Sequence, residues 1–383
     1  MTSPEVYRVR AQALSDYEVA FVDDILDPAG SDLLRCGNRT EFRSRRRIAV
    51  LDENVNALHG SRIREYFERH GLECQYVVLP AGEPAKVMDT VLAVVAEFDR
   101  FGLDRRREPV ITFGGGALLD LVGVATSMYR RGVPHVRVPT TLLGQVDAAI
   151  GAKTAVNHGA YKNRLGTFQQ PAGVLIDRRF LATLDERHLR NGMAEIVKLA
   201  VVRDEQLFEL LEEYGELLIE EKFQGSSPTG DRVARLVLQR AVHGMLAELE
   251  PNLWEHDLDR LVDFGHSVGP ALEMRARGDL LHGESVAVDI ALFTTLAAGR
   301  GLLADKAERR ILDLLERLAL PTGHDLLDDE LLRRAMADTV RHRDGRQRLP
   351  VPVGIGTAVF LNDVSEEELR RAVRQRRCEA VPT

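Results

Sequence analysis

The chain has 383 residues, 44% hydrophobic and 29% charged, enough for two domains with substantial cores. Its net charge of -8 excludes the concentrated basic surface that nucleic acid or an anionic membrane selects, and "RSRRR" (43–47) and "RQRR" (374–377) read as solvated edges. Cys36, Cys74 and Cys378 are scattered without C-x-x-C spacing, and no run reaches the roughly 18 apolar residues of a membrane span, so a soluble protein of a reducing cytoplasm is expected.

From about 46 to 180, β-rich runs alternate with helical ones: "RIAVLDENV", "ALHGSRIREYFERHG", "CQYVVLPAGE", "VMDTVLAVVAEFDRFG", "EPVITFGGGALLD". Strands separated by helices predict a parallel sheet with crossover helices, a Rossmann-like nucleotide-binding α/β domain over 1–180. Beyond 180 the apolar spacing turns helical, as in "HLRNGMAEIVKLAVVRDEQLFELLEEYGELLIEE" and "GESVAVDIALFTTLAAGRGLL". A mostly α-helical domain over 181–383 is expected, with "KFQGSSPTGD" (222–231) as a loop inside it.

In "VITFGGGALLD" an apolar strand runs into Gly114, Gly115 and Gly116 and then a helix. Backbone amides there suit a phosphate at a helix N-terminus; the plainer alternative is a tight strand-to-helix turn. Asp52, ending "IAVLD", is placed to accept from a ribose hydroxyl, which favours NAD over its phosphorylated form. Glu83 and Lys86 in "GEPAK", Asp120 after the glycines, and Thr140, Thr141 and Asp147 in "VPTTLLGQVDAAIG" follow other strands, where ligands of open α/β sheets bind.

"NGMAEIVK" puts Glu195 and Lys198 on one helical face, as a surface ion pair or as part of a site. His266 in "FGHS" and His282 in "LLHGE" each neighbour a glycine and open a helical run. One glutamate and two histidines suffice for an open catalytic metal site. His266 as a core histidine, with Pro270 as a helix-start proline, is the other reading. "GAKTAVNHGAYKNRLGTF" crowds Lys153, Asn157, His158, Lys162, Asn163 and Arg164 among small residues, either as a solvated loop or to capture a phosphate monoester.

Taken together, "GGGALLDLVG", "YRRGV", "VPTTLLGQVDAAIGAKTAVN", "KNRLGTF", "DRRFLATLDERHLRNGMAEIVK", "FGHS" and "LLHGE" resemble the dehydroquinate synthase-like sugar phosphate cyclases over roughly residues 45 to 300. The resemblance implies bound NAD, a divalent metal (Zn2+ or Co2+), a homodimer and an active site in the cleft between the domains. It puts Glu195, His266 and His282 on the metal. Asp52, Glu83, Lys86, Gly115, Gly116, Asp120, Thr140, Thr141, Lys162 and Thr183 fall to the cofactor. Lys198, Asp147 and Lys153 fall to catalysis. Lys162, Asn163 and Arg131, the last reaching across the dimer, fall to substrate phosphate, with His342 and Arg343 as further phosphate contacts.

Family members that make dehydroquinate read R-x-x-L-N-F-G-H-x-x-x-H, where this chain has Asp259, Asp263 and Pro270 at the positions of Arg, Asn and the second His. Replacing an arginine by carboxylates disfavours a carboxylated substrate. The segment, with "YKNRLGTF" and "EPNLWEHDLDRLVDFGHS", is similar to the sedoheptulose 7-phosphate cyclase branch. That implies transient oxidation by NAD, phosphate elimination, re-reduction and aldol closure to 2-epi-5-epi-valiolone, towards aminocyclitol products. The alternatives are dehydroquinate synthase or a sister valiolone or deoxygadusol cyclase, a metal-dependent dehydrogenase related to glycerol dehydrogenase, or a nucleotide-binding regulator without catalysis.

Overall fold

The computed structural model describes residues 7–8, 15–37, 44–159 and 161–379, the side chains of 378 and 379 excepted. The chain begins with β1 (Val19–Phe21) and a single turn α1 (Asp32–Arg35), then alternates through β2 (Arg46–Asp52), α2 (Glu53–Arg69), β3 (Glu73–Leu79) and α3 (Met88–Phe101). It continues through β4 (Val110–Gly114), α4 (Gly116–Met128), β5 (His135–Pro139), the hairpin β6 (Lys153–His158) and β7 (Tyr161–Phe168), and β8 (Gly173–Ile176). Six of these strands form one parallel sheet in the order β1-β8-β5-β4-β2-β3.

Both faces of that sheet are covered, which is why its strands read as continuous apolar runs. Along β2 the side chains alternate: Ile48 and Val50 pack with Val91, Val94 and Phe98 of α3 and Leu121 of α4, whereas Ala49 and Leu51 pack with Ile63, Tyr66 and Phe67 of α2. The strand order reverses between β2 and β4, so a crevice opens at their carboxyl ends. Asp52 and Gly114 stand at those ends.

From Glu186 the chain runs through α5 (Glu186–Arg203), α6 (Glu205–Glu220), α7 (Pro228–Leu249), α8 (Gly269–Ala276), α9 (His282–Gly299), α10 (Asp305–Arg317) and α11 (Asp329–His342). A hairpin, β9 (Leu349–Gly354) with β10 (Thr357–Leu361), precedes α12 (Glu366–Glu379). Helix α9 is buried on all sides from Ser285 to Ala297, as its apolar sequence requires of a central helix. The long helical run at 188–221 is broken at Asp204, which takes extended backbone and accepts from Leu207 N at 3.0 Å, capping α6.

Three sequence readings are corrected, and one hairpin was unforeseen. The loop expected over 222–231 ends at Ser227, which caps α7 through Gly230 N at 3.0 Å with Pro228 at the first helical position. "GAKTAVNHGAYKNRLGTF" is a β-hairpin, turned at Gly159 (φ 59), rather than a loop. The β9–β10 hairpin was hidden by Pro350 and Pro352, tolerated because a two-stranded ribbon leaves edge N–H groups unneeded. Finally, the arginine runs are not simply solvated edges. Arg47 and Arg376 are buried, and Arg46 lies 4.0 Å from the Phe101 ring centroid, its stem covering apolar surface; Arg43 lies outside the described residues.

Candidate active site

A cleft of about 1860 Å3 is lined on one side by the ends of β2 and β3 and the residues that follow β4 and β5, and on the other by residues of α5, α7, α8 and α9. It exceeds the several hundred Å3 usual for one small ligand, which leaves room for a dinucleotide and a second molecule.

On the helical side, α5 presents Glu195 and Lys198 one turn apart. They are not a surface pair: their side chains are 0% and 1% exposed and in direct contact. Lys198 Nζ also donates to Asp147 Oδ2 at 3.2 Å. Burial opposes the charge on Glu195, yet Lys198, His282 and His266 outweigh it and hold the carboxyl well below its ordinary value. Burial pushes the Asp147 carboxyl up to about 6, Glu195 adding to burial and Lys198 opposing it.

Two glycines bring the histidines to that carboxylate. Gly265 has φ 81, so the chain turns immediately before His266 in a way an L side chain resists, and a Cβ there would lie 2.7 Å from Val286 Cγ1. At Gly283 a Cβ would lie 1.9 Å from the carbonyl oxygen of Asn191, so only glycine after His282 lets α9 start against α5. His282 Nε2 consequently lies 3.2 Å, and His266 Nε2 3.7 Å, from Glu195 Oε1. Each Nδ1 faces an oxygen instead, Phe264 O at 3.1 Å for His266 and Glu273 Oε2 at 3.0 Å for His282. Burial lowers His266 to about 4, while hydrogen bonds to Glu195 and Glu273 overcome burial and raise His282 to about 9.

One ligand atom from each of Glu195, His266 and His282 lies within 4.8 Å of the others. Both Glu195 carboxylate oxygens are buried, Oε2 against Lys198 Nζ and Oε1 turned to the two imidazole Nε2 atoms. A buried carboxylate left so, facing two imidazole nitrogens, fits a divalent cation of the zinc or cobalt type.

On the sheet side, α4 starts at Gly116 with no side-chain cap from the described residues, leaving its first amides toward the cleft. A Cβ on Gly115 would lie 3.1 Å from Thr141 Cγ2, and one on Gly116 3.0 Å from Ala148 Cβ, so both positions admit little beyond hydrogen. Asp52 caps α2 through Val55 N at 2.8 Å. Buried Lys86 joins Asp120 (2.5 Å) and Asn163 Oδ1 (2.7 Å); burial works against its charge, and Asp120 and Glu83 outweigh burial. These groups, with Glu83, Thr140, Thr141 and Thr183, line one continuous wall whose bare amides and carboxylate fit a dinucleotide.

Lys153, Lys162, Asn163, Asp263 and His342 also line the cleft. Asp259 does not: it is half exposed and paired with Arg348 Nη1 at 2.8 Å, because Asp257 Oδ1 fixes its backbone outside. Pro270 sits in the first turn of α8 away from the lining, a helix-start proline after all. Arg343 is buried with its guanidinium on Asp263 (3.1 Å), Gln347 O and Arg348 O, so its donors are spent on the protein. Arg131 is exposed and outside the cleft of a single chain. Sequence reasoning missed Glu273, one turn into α8, and Arg260, which lines the cleft and pairs with Asp263 at 3.4 Å. No sequence signal marks Glu273, because its contact with His282 comes from the packing of α8 against α9.

Residues 76–191 match the family described as 3-dehydroquinate synthase N-terminal, and 192–340 match 3-dehydroquinate synthase C-terminal. The chain belongs to the 3-dehydroquinate synthase family. Within that family it is 55% identical over 367 residues to a 2-epi-5-epi-valiolone synthase of Actinoplanes sp., covering 96% of this chain and 92% of the relative. It is 53% identical over 365 residues to the 2-epi-5-epi-valiolone synthase of Streptomyces albus, covering 95% and 89%. A solved 2-epi-5-epi-valiolone synthase from Streptomyces hygroscopicus subsp. jinggangensis 5008, with NAD+ and Zn2+ bound, superposes with a TM-score of 0.92 at 48% identity over 97% of this chain and 100% of that one. Among the described residues no helix is long and apolar enough to cross a membrane.

Proposed function

We propose that the chain is an NAD- and divalent-metal-dependent sugar phosphate cyclase, a phosphate-eliminating carbon-oxygen lyase that converts sedoheptulose 7-phosphate to 2-epi-5-epi-valiolone. The observation that carries this reading is the Glu195, His266 and His282 trio beside the Lys198–Asp147 pair, in the same cleft as the bare glycine turn. The identity of more than half the residues to synthases of that name supports the substrate. The division is 1–180 for the cofactor and 181–383 for the metal, with catalysis in the cleft between them in a cytoplasmic homodimer serving antibiotic biosynthesis.

When bound, NAD takes up and returns one hydride, and the metal supplies Lewis acidity to a substrate oxygen. Glu195, His266 and His282 hold the metal; Asp52, Glu83, Lys86, Asp120, Thr140, Thr141, Thr183 and the amides after Gly115 and Gly116 hold the dinucleotide. Lys198 Nζ, pinned between two carboxylates, orients substrate hydroxyls, and Asp147, with its carboxyl near 6, accepts and returns a proton close to neutral pH. Lys153, Lys162 and Asn163 hold the phosphate until it leaves. Asp263 receives hydroxyls of the ketose, and the partner's copy of the Arg131 loop completes the phosphate pocket.

The test is turnover of sedoheptulose 7-phosphate by the purified, zinc-loaded protein, and separately of the carboxylated heptulosonate phosphate that dehydroquinate synthase uses. Phosphate and a carbocycle should appear while reduced nicotinamide stays flat. A one-to-one rise of phosphate-independent reduced cofactor would assign a dehydrogenase instead.

A further inference from the structure

We propose that Glu273 is a positioning residue that fastens His282 for the metal and tethers Lys162 on the substrate side through one carboxylate, an inference that rests on the metal-dependent reading above. Each carboxylate oxygen has its own partner: Oε2 lies 3.0 Å from His282 Nδ1, and Oε1 accepts from Lys162 Nζ. The side chain is 12% exposed, so water does little to screen either contact. Burial opposes ionisation of Glu273, but His282 and Lys162 hold it charged, near 2.

The geometry fixes a tautomer. With Nδ1–H of His282 donating to Glu273, it is Nε2, 3.2 Å from Glu195 Oε1, that would give up its proton and offer its lone pair to a cation held beside that carboxylate. His266 is set in the same sense by a neutral group, the Phe264 carbonyl at 3.1 Å. The two histidines therefore differ in that only His282 leans on a carboxylate, which raises the basicity of the ring as well as orienting it.

Helix α8 can impose this orientation because it is itself anchored. Buried Asp289 of α9 accepts from Val268 N and, at 2.6 Å, from Gly269 N, gripping the start of α8, while Leu272 and Ala276 lie in the core. Asp289 is seven residues beyond His282 on the same helix, so α9 holds α8 at one end and receives Glu273 at the other. Lys162 has a second acid within reach, Glu83 Oε1 at 3.8 Å, and so does not depend on Glu273 alone for charge compensation. His282 has no such substitute at Nδ1 among the described residues.

Glutamine at 273 keeps the shape but has one acceptor oxygen, so it must release either His282 or Lys162. The experiment measures zinc affinity of the metal-stripped full chain against a chromogenic chelator, for wild type, Glu273→Gln, Glu273→Asp and Lys162→Met, alongside their metal-free melting temperatures. Glu273→Gln should bind zinc about 10- to 100-fold more weakly, the range seen when the partner of a ligating histidine is removed. Its metal-free melting temperature should stay near wild type, Glu273→Asp should fall between, and Lys162→Met should stay within about threefold of wild type.

Zinc affinity in Glu273→Gln within twofold of wild type would overturn the proposal, as would equal weakening by Lys162→Met, which would assign the effect to net charge. If Glu273→Gln does not fold, Glu273→Asp with wild-type zinc affinity overturns it. Wild-type protein that binds zinc but leaves sedoheptulose 7-phosphate untouched would remove the proposed substrate and leave the zinc comparison to decide Glu273.

Discussion

At the glycine turn on the sheet side of the cleft the groups that face a ligand are backbone, the uncapped start of α4 after Gly114–Gly116; on the helical side they are side chains, Glu195, Lys198, His266 and His282, drawn from two helices and the loop before α8. At the glycine turn the first wall is made by three adjacent residues and needs only that nothing protrude. The second is made by residues 195 to 282 and needs glycines at 265 and 283 to let the elements approach. Damage to the two walls should accordingly separate: the helical wall fails by losing a charge or a ligand, the sheet wall by gaining atoms.

The largest effect is expected at the metal trio. His282→Ala should lower kcat by at least about a thousandfold, because a catalytic metal contributes several kcal/mol and each 1.4 kcal/mol is about tenfold. His282 is a quarter exposed, so its melting temperature should change little. Glu195→Ala should also destabilise the fold by about 3–5 kcal/mol, because it strands buried Lys198 without its closest counter-charge. Equal melting temperatures for the two variants would show that the trio is not built on a buried ion pair.

Next in size is a pH effect confined to the helical wall. Burial pushes the Asp289 carboxyl up to about 6, so the folded protein keeps a proton that the unfolded chain releases near pH 4. The stabilisation this gives is present below about pH 4 and is lost as pH rises through about 6, on the order of 3 kcal/mol in all. Denaturant titrations from pH 4 to pH 7 should show that slope in wild type and a flatter one in Asp289→Asn. Parallel curves would remove Asp289 from the account.

On the sheet wall, Gly116→Ala puts a methyl 3.0 Å from Ala148 Cβ. Crowding of this kind costs about 1–3 kcal/mol, so the dissociation constant for NAD should rise by about tenfold or more. Zinc content should not change. Loss of both together would mean that the walls move as one body.

The same contrast explains what was legible in the sequence. A strand followed by glycines and a helix is a local pattern, so the sheet, the crevice at Asp52 and the glycine turn were readable from spacing. Glu195, His266 and His282 were readable only because a family resemblance joined motifs 87 residues apart. Glu273 and Asp289 were not readable, since a carboxylate in a helix looks alike whether it faces water or a histidine; only the packing of α8 on α9 decides. Asp259 and Asp263 show the opposite failure, because their match to the family motif put both in the cleft, whereas Asp259 is half exposed and pairs with Arg348 outside it.

That difference yields the smallest and most discriminating expectation. Were substrate choice set by both aspartates, removing either would help a carboxylated substrate. In the structure Asp259 is spent on Arg348 outside the cleft, whereas Asp263 lines it, held ionised against burial by Arg260 and Arg343. Two guanidiniums beside Asp263 offset much of its repulsion of an incoming carboxylate, so its net effect belongs near the lower end of the roughly 1–4 kcal/mol range for a charge contact. Asp263→Asn should then shift the ratio of kcat/KM values toward the carboxylated heptulosonate phosphate by about tenfold, and Asp259→Asn by less than about twofold. Asp263→Asn should also expose the arginines to that carboxylate, so the gain should come mainly as a lower KM. Equal shifts from the two variants would mean that Asp259 turns into the cleft when the sugar phosphate binds, and that the selectivity of this segment is set by a rearranged loop rather than by the charges already in place.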